Sequence, residues 1–591
     1  MRLPKGWGWR RRWRRAVKAF SCHLSAIERI LTRQGRYLIH NTGGETLPVE
    51  GKNRAAITNT RISAESLKKI ISDGQEIAII DPREEGAFSE NHLLLAVNVP
   101  FSRLELQIED LVPRKTTRIV LTDGGDGLAE RTASRLNELG YHMIAILDGG
   151  VTAWSTTGHE VFSGVNVPTK AFGEYVEHHF GTPSISPEEL YTKLTAHEDM
   201  VVLDSRPREE YERMTIPGAI NVPGAELVYR FQELPIRPNT FVVVNCAGRT
   251  RSILGAQSLI NAGVKNRVVS LRGGTMAWEL AGFTCEHGAN RRAPEPSQEA
   301  RKQAKEAAAK VADRYGVKTI DAKKLAKCEE KRDTRTLYLF DVRTEEEYLR
   351  GHRPGSIHAP GGQLVQALDK YVATRNAWIV LIDDQEVRAQ MTASWLVQAG
   401  WRDVYVLADP FAGVKIETGE RPVVIPGLER VKLPLIQPAA LNASIQGGKV
   451  TVIDLATSFN YRKGHIPGAW FAVRARLAES LKHLPVSAGF VVTGDDPALT
   501  ALAASDLITL SGKPVSILAG GNKAWREAGL PLHEGFERLA SRTDDVCLKP
   551  YDREDKVEAR EAMRAYLRWE EALLEQIARD GDLQFGTASH T

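Results

Sequence analysis

The chain has 591 residues, more than one ordinary core contains, so about three to five domains are expected. Its composition, 42% hydrophobic and 26% charged, excludes collagen-like, disordered and disulfide-scaffold proteins. No stretch approaches the roughly 18 consecutive apolar residues that a membrane-spanning helix requires. The net charge of +4 does not indicate a nucleic-acid partner, because eight basic residues among the first 27 leave the remaining chain at −4.

Residues 1–60 start with an Arg-rich and Trp-rich stretch that has no acidic side chain before residue 28. This composition is typical of an organellar transit peptide, of a basic helix on a membrane surface or of an arm that binds nucleic acid. No folded pattern begins before residue 60. We therefore expect residues 1–60 to be a disordered basic segment, and we assign them no function.

The cysteines are few, odd in number and widely separated: Cys22, Cys246, Cys285, Cys328 and Cys547. This usage is typical of a reducing compartment, and it provides no Cys-x-x-Cys pair that would hold a metal. We predict a cytoplasmic protein that needs no metal and no cofactor. Any functional cysteine is expected to act alone.

Four segments of the chain repeat one pattern, which indicates a repeat architecture. Each segment begins with Ile-x-x-x-x-Leu, at Ile62, Ile185, Ile320 and Ile436. In three segments the isoleucine is followed by a residue that favours helix N-termini: Ser63, Ser186 and Asp321. An apolar strand comes next, and it ends in an acidic residue in every segment: Asp81, Asp204, Asp341 and Asp454.

Each segment continues with a turn, a second apolar strand, a helix and a third strand. Three segments then have a tryptophan four residues past a glycine: Trp154, Trp278 and Trp525. Apolar runs of this length are typical of buried parallel strands, and their alternation with helices predicts a parallel sheet. We therefore predict an α/β fold of four tandem modules, each a central parallel sheet with helices on both faces.

We place the modules at residues 61–165, 183–290, 316–425 and 432–535. Residues 291–315 separate the two halves of the chain, and their Ala, Lys and Glu content predicts a solvated helical linker. Residues 550–591 are predicted to form a charged helix with one apolar stripe, followed by a tail. We expect this helix to pack on the last module, and the alternative is a helix that binds a partner.

The loop after the second strand has nearly the same register in all four modules. The residue that ends this strand lies 42 positions after the strand-end acid in the first three modules and 41 positions after it in the fourth. These residues are Asp123, Cys246, Asp383 and Asp495. We predict four equivalent loops with one thiol among them, and the three carboxylates would repel an anionic ligand.

The combination of motifs resembles the rhodanese family of sulfurtransferases. It rests on Asp204-Ser205-Arg206, on GHIPGA at 464–469, on Cys246 at the end of an apolar strand, and on LRGGTMAW at 271–278. The resemblance covers four modules between residues 62 and 535. It implies that modules one and two form a pair of an inactive and an active unit, and that modules three and four form a second pair without the thiol.

Residues 246–252 carry the predicted chemistry, because they lie between a buried strand and a helix. Backbone N–H groups and the positive end of a helix converge at such a junction. With Cys246 as the nucleophile, the candidate substrate-binding residues are Ala247, Gly248, Arg249, Thr250, Arg251 and Ser252. The two arginines add positive charge, which favours the nucleophilic thiolate. The cysteine phosphatases use Cys-x5-Arg, whereas here the arginine falls five residues after the cysteine and Ser252 falls six after it.

Other residues near this loop are expected to support it. Asp204 and Arg206 are predicted to form a structural pair that orients the sheet edge, and Trp278 is predicted to belong to the core. Cys285 is the one cysteine outside the loops that we consider as a resolving thiol.

The leading hypothesis is a cytoplasmic sulfurtransferase. In it, Cys246 takes sulfane sulfur from a small anionic donor such as thiosulfate and passes it, as a persulfide, to cyanide, to a thiol or to a protein sulfur acceptor. The alternative is a non-catalytic scaffold or sulfur-sensing protein whose acidic modules bind a partner from sulfur metabolism. Neither hypothesis involves nucleic acid or a membrane.

Overall fold

The computed structural model describes residues 60–448 and 450–586, together with the backbone of 38–40 and 46–48. These two short segments form an antiparallel pair, β1 (Leu38–His40) and β2 (Thr46–Pro48). The rest of the basic segment predicted up to residue 60 lies outside the described residues. No helix in the described part of the chain is long and apolar enough to cross a membrane.

The first two modules are joined by a helix, α6. Module one comprises β3 (Thr60–Ile62), α1 (Ala64–Ser72), β4 (Ile77–Asp81), α2 (Glu85–Glu90), β5 (Ala96–Asn98), α3 (Leu104–Leu111), β6 (Ile119–Leu121), α4 (Leu128–Glu138), β7 (Ile144–Leu147) and α5 (Gly150–Thr156). The connecting helix α6 spans Val167–Phe180. Module two comprises β8 (Ser184–Ile185), α7 (Pro187–Thr195), β9 (Met200–Asp204), α8 (Arg208–Arg213), β10 (Ile220–Asn221), α9 (Glu226–Arg230), β11 (Phe241–Asn245), α10 (Thr250–Asn261), β12 (Val268–Leu271) and α11 (Gly274–Leu280).

A second connecting helix, α12 (Gln298–Arg314), leads to the other two modules. Module three comprises β13 (Lys318–Ile320), α13 (Ala322–Glu329), β14 (Leu337–Asp341), α14 (Glu345–Arg350), β15 (Ile357–His358), α15 (Gly361–Gln366), β16 (Thr374–Arg375), β17 (Trp378–Ile382), α16 (Val387–Gln398) and β18 (Val404–Leu407). Module four comprises β19 (Leu435–Ile436), α17 (Pro438–Gln446), β20 (Thr451–Asp454), α18 (Ser458–Lys463), β21 (Trp470–Phe471), α19 (Leu477–Ser480), β22 (Phe490–Thr493), α20 (Pro497–Ser511), β23 (Val515–Leu518) and α21 (Gly521–Glu527). The long helix α22 (Lys556–Asp580) follows the last module.

The four sheets have one topology, which confirms the predicted fold. In module two the strand order is β10-β9-β11-β12-β8, and all neighbours are parallel. Modules three and four repeat this order, and module one repeats it with β5 at the edge. Because parallel strands end at the same edge of a sheet, the acid that ends β9 lies beside the end of β11, with Asp204 opposite Asn245.

The predicted helix caps at the start of the modules are confirmed. The Ser63 hydroxyl accepts a hydrogen bond from the backbone N–H of Ser66, and Ser186 forms a reciprocal capping box with Glu189. The Asp321 carboxylate accepts from the third residue of α13. Each cap satisfies a backbone donor that has no partner within its helix.

The linker between the halves is a helix, as predicted, but the prediction that it is solvated is wrong. One face of α12 is buried: Ala300, Ala304, Ala308, Val311 and Ala312. These small side chains let α12 approach closely, and they pack against α9 of module two and α16 of module three, in one core with Leu227 and Met391. The helix is a wedge between two modules.

The modules also pack out of chain order, in addition to the pairing that the family resemblance implies. Module three contributes β16 as an antiparallel edge strand to the sheet of module one, where Thr374 lies opposite Ala78. Modules two and three share buried bonds, such as that from the Trp395 indole to the Ser258 hydroxyl at 2.9 Å. Within residues 60–586, modules one and three therefore pack against each other although they are not adjacent in sequence.

The prediction that the C-terminal helix packs on the last module is wrong. Helix α22 lies against α6, and Leu573 and Ile577 enter the hydrophobic core of module one. Lys68 of module one reaches the end of the helix and bonds to Asp582 at 2.6 Å. The apolar stripe of α22 is thus covered by α6 and module one, which lie far from this helix in sequence.

Candidate active site around Cys246

Cys246 lies directly after β11, four residues before α10 begins. The residue is 2% exposed, and its thiol lies 3.5 Å from the Ser252 hydroxyl. That hydroxyl in turn donates to the Arg249 carbonyl oxygen at 2.8 Å. The loop is thus folded back on the first turn of α10, which brings its two ends together around the sulfur.

Two glycines at the start of α11, Gly273 and Gly274, allow this helix to approach the Cys246 loop closely. The backbone N–H groups of Thr275 and Met276 donate to the carbonyl oxygens of Cys246 and Ala247, at 2.9 and 3.0 Å. Gly274 has φ = +55°, and a Cβ there would lie 2.3 Å from the Cys246 carbonyl oxygen. Only glycine fits both demands, which explains why the Gly-Gly pair recurs in modules one and four.

The equivalent loops of modules one and three are occupied by their own carboxylates. Asp123 accepts hydrogen bonds from the N–H groups of Gly125 and Ala129, both at 2.9 Å. Asp383 accepts from the N–H groups two, five and six residues further on, at 3.2, 2.7 and 3.4 Å. In both modules the loop therefore binds an anion, and the anion is a side chain of the loop.

In module two the same N–H groups are free. The counterparts, two, five and six residues after Cys246, are the N–H groups of Gly248, Arg251 and Ser252. Within the described residues no acceptor bonds to any of them. A cysteine side chain is too short and too weak an acceptor to replace the carboxylate, so this loop is an anion cradle without a built-in anion.

Arg251 extends the parallel with module three. Its guanidinium bonds to Glu210 at 2.9 and 3.1 Å. Module three repeats the pair at the same positions, where Arg388 bonds to Glu347 and also donates to Asp383 at 2.8 Å. In module three the arginine at this position therefore faces the side chain at the cysteine position.

The charges around Arg251 agree with this placement. Burial by itself would lower the pKa of Arg251, but Glu210 and then Cys246 raise it above the ordinary value. Burial would raise the pKa of Glu210, but Arg251, Lys549 and Arg206 bring it down to about 2. Both partners thus stay ionised, and the Glu210 carboxylate fixes the position of the Arg251 cation.

Arg249 is placed differently from the expectation that it binds substrate. Its guanidinium bonds to Glu174 of α6 at 2.6 and 2.8 Å, and it also contacts Glu177 and Glu571. Burial would lower the pKa of Arg249, but Glu174 and the other two acids raise it. Three carboxylates surround this cation, so it anchors the loop to α6 rather than facing the sulfur.

The other predicted supporting residues lie together. Arg206 bonds to Asp204 at 2.7 and 2.9 Å, and both side chains are at most 1% exposed. Asp204 also accepts from Thr215 and from Asn245, the residue before the cysteine. Trp278 is 2% exposed within the core of module two. The structure thus ties the end of β9 to the end of β11.

Cys285 is buried among the same core residues, close to Trp278. Burial raises the pKa of its thiol to about 12. A thiol in this state is almost wholly protonated at neutral pH, and thiol–disulfide exchange needs the thiolate. These properties oppose the role of resolving thiol.

The assignment of Asp495 to the cysteine position in module four is wrong. Asp454 lies opposite Thr493 in the sheet, as Asp204 lies opposite Asn245, so the next residue, Gly494, corresponds to Cys246. The N–H of Asn522 donates to the Gly494 carbonyl oxygen, which repeats the bond from Thr275 to Cys246. The segment between the strands is two residues shorter in module four, and this shift displaced the prediction.

Side chains from the C-terminal segment pack on the Cys246 loop, and they were not predicted from the sequence. Met563 packs on Ala247 and Met276, and Tyr566 lies beside Gly248. Glu570 of the same helix accepts from the Thr250 hydroxyl at 3.3 Å. No local pattern signals these contacts, whereas the Arg251–Glu210 pair was detectable because module three repeats its spacing.

Comparison with known proteins gives a consistent result for all four modules. A family model described as "Rhodanese-like domain" matches residues 63–157, 186–281, 321–417 and 437–528. A crystal structure of a thiosulfate sulfurtransferase from Pseudomonas aeruginosa aligns over 90% of this chain and 100% of its own, with 45% identity and a TM-score of 0.84.

Two shorter relatives match single parts of the chain. A sulfurtransferase of Allochromatium vinosum is 32% identical over 99 residues, which are 17% of this chain and 90% of the relative. A putative sulfur carrier protein of Bacillus subtilis, YrkF, is 30% identical over 139 residues, or 21% of this chain and 71% of the relative. These names concern sulfur transfer or sulfur carriage.

Proposed function

Because the chain belongs to the rhodanese-like domain family, we propose that it moves sulfane sulfur from thiosulfate or a similar donor, through a persulfide on Cys246, to cyanide or a thiol. The names of its relatives support sulfur transfer in general. The donor, the acceptor, the persulfide and a cytoplasmic location are parts of the proposal. The few, scattered cysteines support that location.

The proposed reaction has two steps. The Cys246 thiolate attacks the outer sulfur of thiosulfate, a new S–S bond forms, and the S–S bond of the donor breaks as sulfite leaves with the electron pair. The acceptor then attacks the outer sulfur of the persulfide, so that cyanide gives thiocyanate and a thiolate gives a persulfide of its own. Cys246 leaves as the thiolate, and the cycle is ping-pong.

The free anion cradle is the observation that carries the proposal. The loops of modules one and three use the same N–H groups to hold a carboxylate, so the backbone of this loop is suited to a negative group. In module two we assign that place to the outer sulfur of the persulfide. The N–H groups of Gly248, Arg251 and Ser252 would hold its charge, and the Arg251 guanidinium would face it as Arg388 faces Asp383.

The remaining loop residues have supporting roles in this proposal. Ala247 and Thr250 are held from outside by Met563 and Glu570, and Arg249 anchors the loop to α6. Asp204 and Arg206 orient the end of the neighbouring strand. None of these side chains needs to contact the donor.

The test is sulfur transfer from thiosulfate to cyanide, together with the mass of the cysteine peptides after exposure to thiosulfate. We expect a gain of one sulfur on Cys246 in the wild-type protein and no turnover by Cys246→Ser. Arg251→Ala is expected to raise the KM for thiosulfate by about tenfold, because the loss of one charge-assisted bond costs about 1.4 kcal/mol.

Cys285→Ser is the matched control, since this buried thiol has no role in the proposal. It should retain wild-type turnover and the same persulfide. Equal sulfur transfer by wild-type protein and Cys246→Ser would exclude the proposal.

The scaffold alternative is favoured by one observation, the filled loops of modules one and three. These two modules have no room for an anion at the cysteine position, which suits a structural role. For the whole chain, the alternative predicts negligible turnover even though Cys246 reacts with thiosulfate, so the same assay separates the two functions.

A further inference from the structure

The C-terminal cover, which we define as residues 549–571, closes the outer side of the Cys246 loop. Met563 is 4% exposed and packs in one cluster with Ala247 and Met276. Tyr551, Tyr566 and Leu567 border the same cluster. A Cβ on Gly248 would lie 3.3 Å from the Tyr566 ring, so the ring lies almost against the loop backbone. Apolar side chains of a distant segment therefore form a wall at the thiol.

A buried ion pair fixes the cover on the loop. Glu570 is fully buried, and it accepts from Lys170 of α6 at 3.0 Å and from the Tyr566 hydroxyl at 3.1 Å. The same carboxylate oxygen accepts from the Thr250 hydroxyl, and the next residue, Glu571, contacts Arg249 at 3.2 Å. An ion pair without access to water keeps one geometry, because breaking it would leave a bare charge in the interior.

The other end of the cover is held on module two. Arg213 of α8 bonds to Asp552 at 2.7 Å and lies 4.9 Å from the centre of the Tyr551 ring. Arg560 donates to the carbonyl oxygens of Glu279 and Leu280 at the end of α11, at 3.0 and 2.8 Å. The cover is thus attached at both ends, and Met563 and Tyr566 lie between the attachment points.

This arrangement limits what reaches the sulfur. A protein thiol stands on a convex surface, and the neighbouring backbone must come within a few ångströms of the persulfide for the sulfurs to touch. Cys246 is 2% exposed, and the Met563 and Tyr566 side chains pack on the next two residues, Ala247 and Gly248, which restricts the approach to the sulfur.

We propose that Met563 and Tyr566 determine the acceptor class of the Cys246 site, restricting it to small nucleophiles such as cyanide or low-molecular-weight thiols and excluding protein thiols. The inference rests on the proposed function, since it concerns the acceptor for the same persulfide. The inference narrows the acceptors of the proposed function from cyanide and any thiol to cyanide and low-molecular-weight thiols, and it excludes a protein sulfur acceptor.

The first experiment measures access to the thiol and does not depend on sulfur transfer. The full-length protein is treated with N-ethylmaleimide or with a polyethylene-glycol maleimide, and the peptide that contains Cys246 is followed by mass spectrometry. We expect the small reagent to react at least about tenfold faster in the wild type, and the double variant Met563→Ala/Tyr566→Ala to reduce this ratio to about threefold or less. Arg564→Ala, exposed on the same helix, is the matched control and should retain the wild-type ratio.

The second experiment measures the acceptor preference. Protein loaded with thiosulfate is freed of donor and then offered cyanide or reduced thioredoxin, and the loss of the added sulfur is timed. The wild type should discharge to cyanide at least about tenfold faster than to thioredoxin, and the double variant should narrow this gap between the two rates, each measured within the same variant. Equal wild-type rates, or a gap unchanged in the double variant, would overturn the inference.

The two experiments separate this inference from the proposed function. If thiosulfate loads no sulfur on Cys246, the proposed function fails, and the maleimide ratio still reports whether the cover restricts the thiol. If sulfur is loaded and the maleimide ratio is near one in the wild type, the cover fails and the proposed function stands.

Discussion

Arg249 and Arg251 stand two residues apart and carry the same charge, yet the structure gives them opposite uses. Arg251 is held by one carboxylate, Glu210, and its pKa is raised by the Cys246 thiol as well, whereas Arg249 contacts three carboxylates. Alternate residues at the start of a helix point about 200° apart, because each residue turns by about 100°. Local sequence showed that two cations are present, and only packing showed which one is available to an anion.

Asp454 differs from the other strand-end acids, because module four has Ala456 where the other modules have an arginine. Asn522 donates to Asp454 in place of that arginine, at 3.0 and 3.2 Å. Burial therefore raises the pKa of Asp454 from 3.8 to about 6. A carboxyl with a raised pKa holds its proton more tightly in the folded state, so its ionisation destabilises the fold as the pH rises from about 4 through about 6.

We expect Asp454→Asn to remove this penalty. Relative to the wild type, the variant should gain up to about 3 kcal/mol of stability between pH 4 and pH 8, the equivalent of about two pKa units. The measurement is the urea midpoint of both proteins across this pH range.

Asp341→Asn is the matched contrast in module three, because Asp341 has its arginine. The substitution removes the carboxylate that bonds directly to the buried Arg343, so this variant should lose stability at pH 8. A flat difference between wild type and Asp454→Asn over the whole pH range would contradict the account of Asp454.

At the scale of elements, one strand–loop–helix unit is used in two ways. In modules one and three an aspartate caps the helix and fills the loop, and in module two a cysteine leaves the loop open. The exchange of one side chain therefore converts a structural cap into a candidate anion site. The backbone supports both states because its N–H donors keep the same relative positions.

We expect Asp123→Ala to destabilise the protein by about 2 kcal/mol, since two charge-assisted bonds to backbone N–H groups are lost. Formate is the carboxylate that this substitution removes. Sodium formate should therefore raise the thermal midpoint of Asp123→Ala more than an equal concentration of sodium chloride does.

Asp321→Ala, which removes an ordinary exposed helix cap, is the control for this experiment. It should lose stability and show no preference for formate. A formate effect of equal size in both variants would mean that the loop of module one is not an anion cradle.

Helix α12 is the other element whose packing differs from its prediction. Its composition resembles that of a solvated spacer, but its alanines recur every four residues and form a buried stripe. Charged residues on the other faces dominate the average composition, while the narrow stripe decides the packing. Spacing was therefore the informative signal, and composition misled the prediction.

At the scale of the whole molecule, contacts between distant modules hold the site. Arg474 of module four bonds to Glu105 of module one at 2.7 and 3.0 Å, and the two side chains are 3% and 1% exposed. Module one in turn binds the end of α22, which covers the thiol of module two. The position of the C-terminal helix α22 therefore depends on its contacts with a module far from it in sequence.

Arg474→Ala is expected to cost about 3 kcal/mol, because it leaves the Glu105 carboxylate buried with only Arg135 as a partner. The measurement is urea unfolding of the full-length protein. Arg430→Ala, whose ion pair with Glu429 is almost fully exposed, should change stability by less than about 0.5 kcal/mol. Similar effects of the two substitutions would show that the contact between modules one and four is not important for stability.

The sequence by itself determined the α/β class, the four modules and the position of the one loop cysteine. These features depend on local rules, such as the helix caps at Ser63 and Ser186 and the apolar strands that end in Asp81 and Asp204, and repetition in four modules strengthened each signal. The segment between the two strands is shorter in module four, so counting residues from Asp454 gave Asp495. In the structure Gly494 occupies the cysteine position.

Only the tertiary structure decided what surrounds the thiol. Glu174, Glu570 and Met563 come to the loop from segments 75 to 320 residues away, through the packing of α6 and α22. An amphipathic helix shows in its sequence that one face will be buried, but not against which surface, because many apolar surfaces give a similar gain in free energy. The candidate nucleophile Cys246 was therefore visible in the sequence, and the wall that we propose selects its acceptor was not.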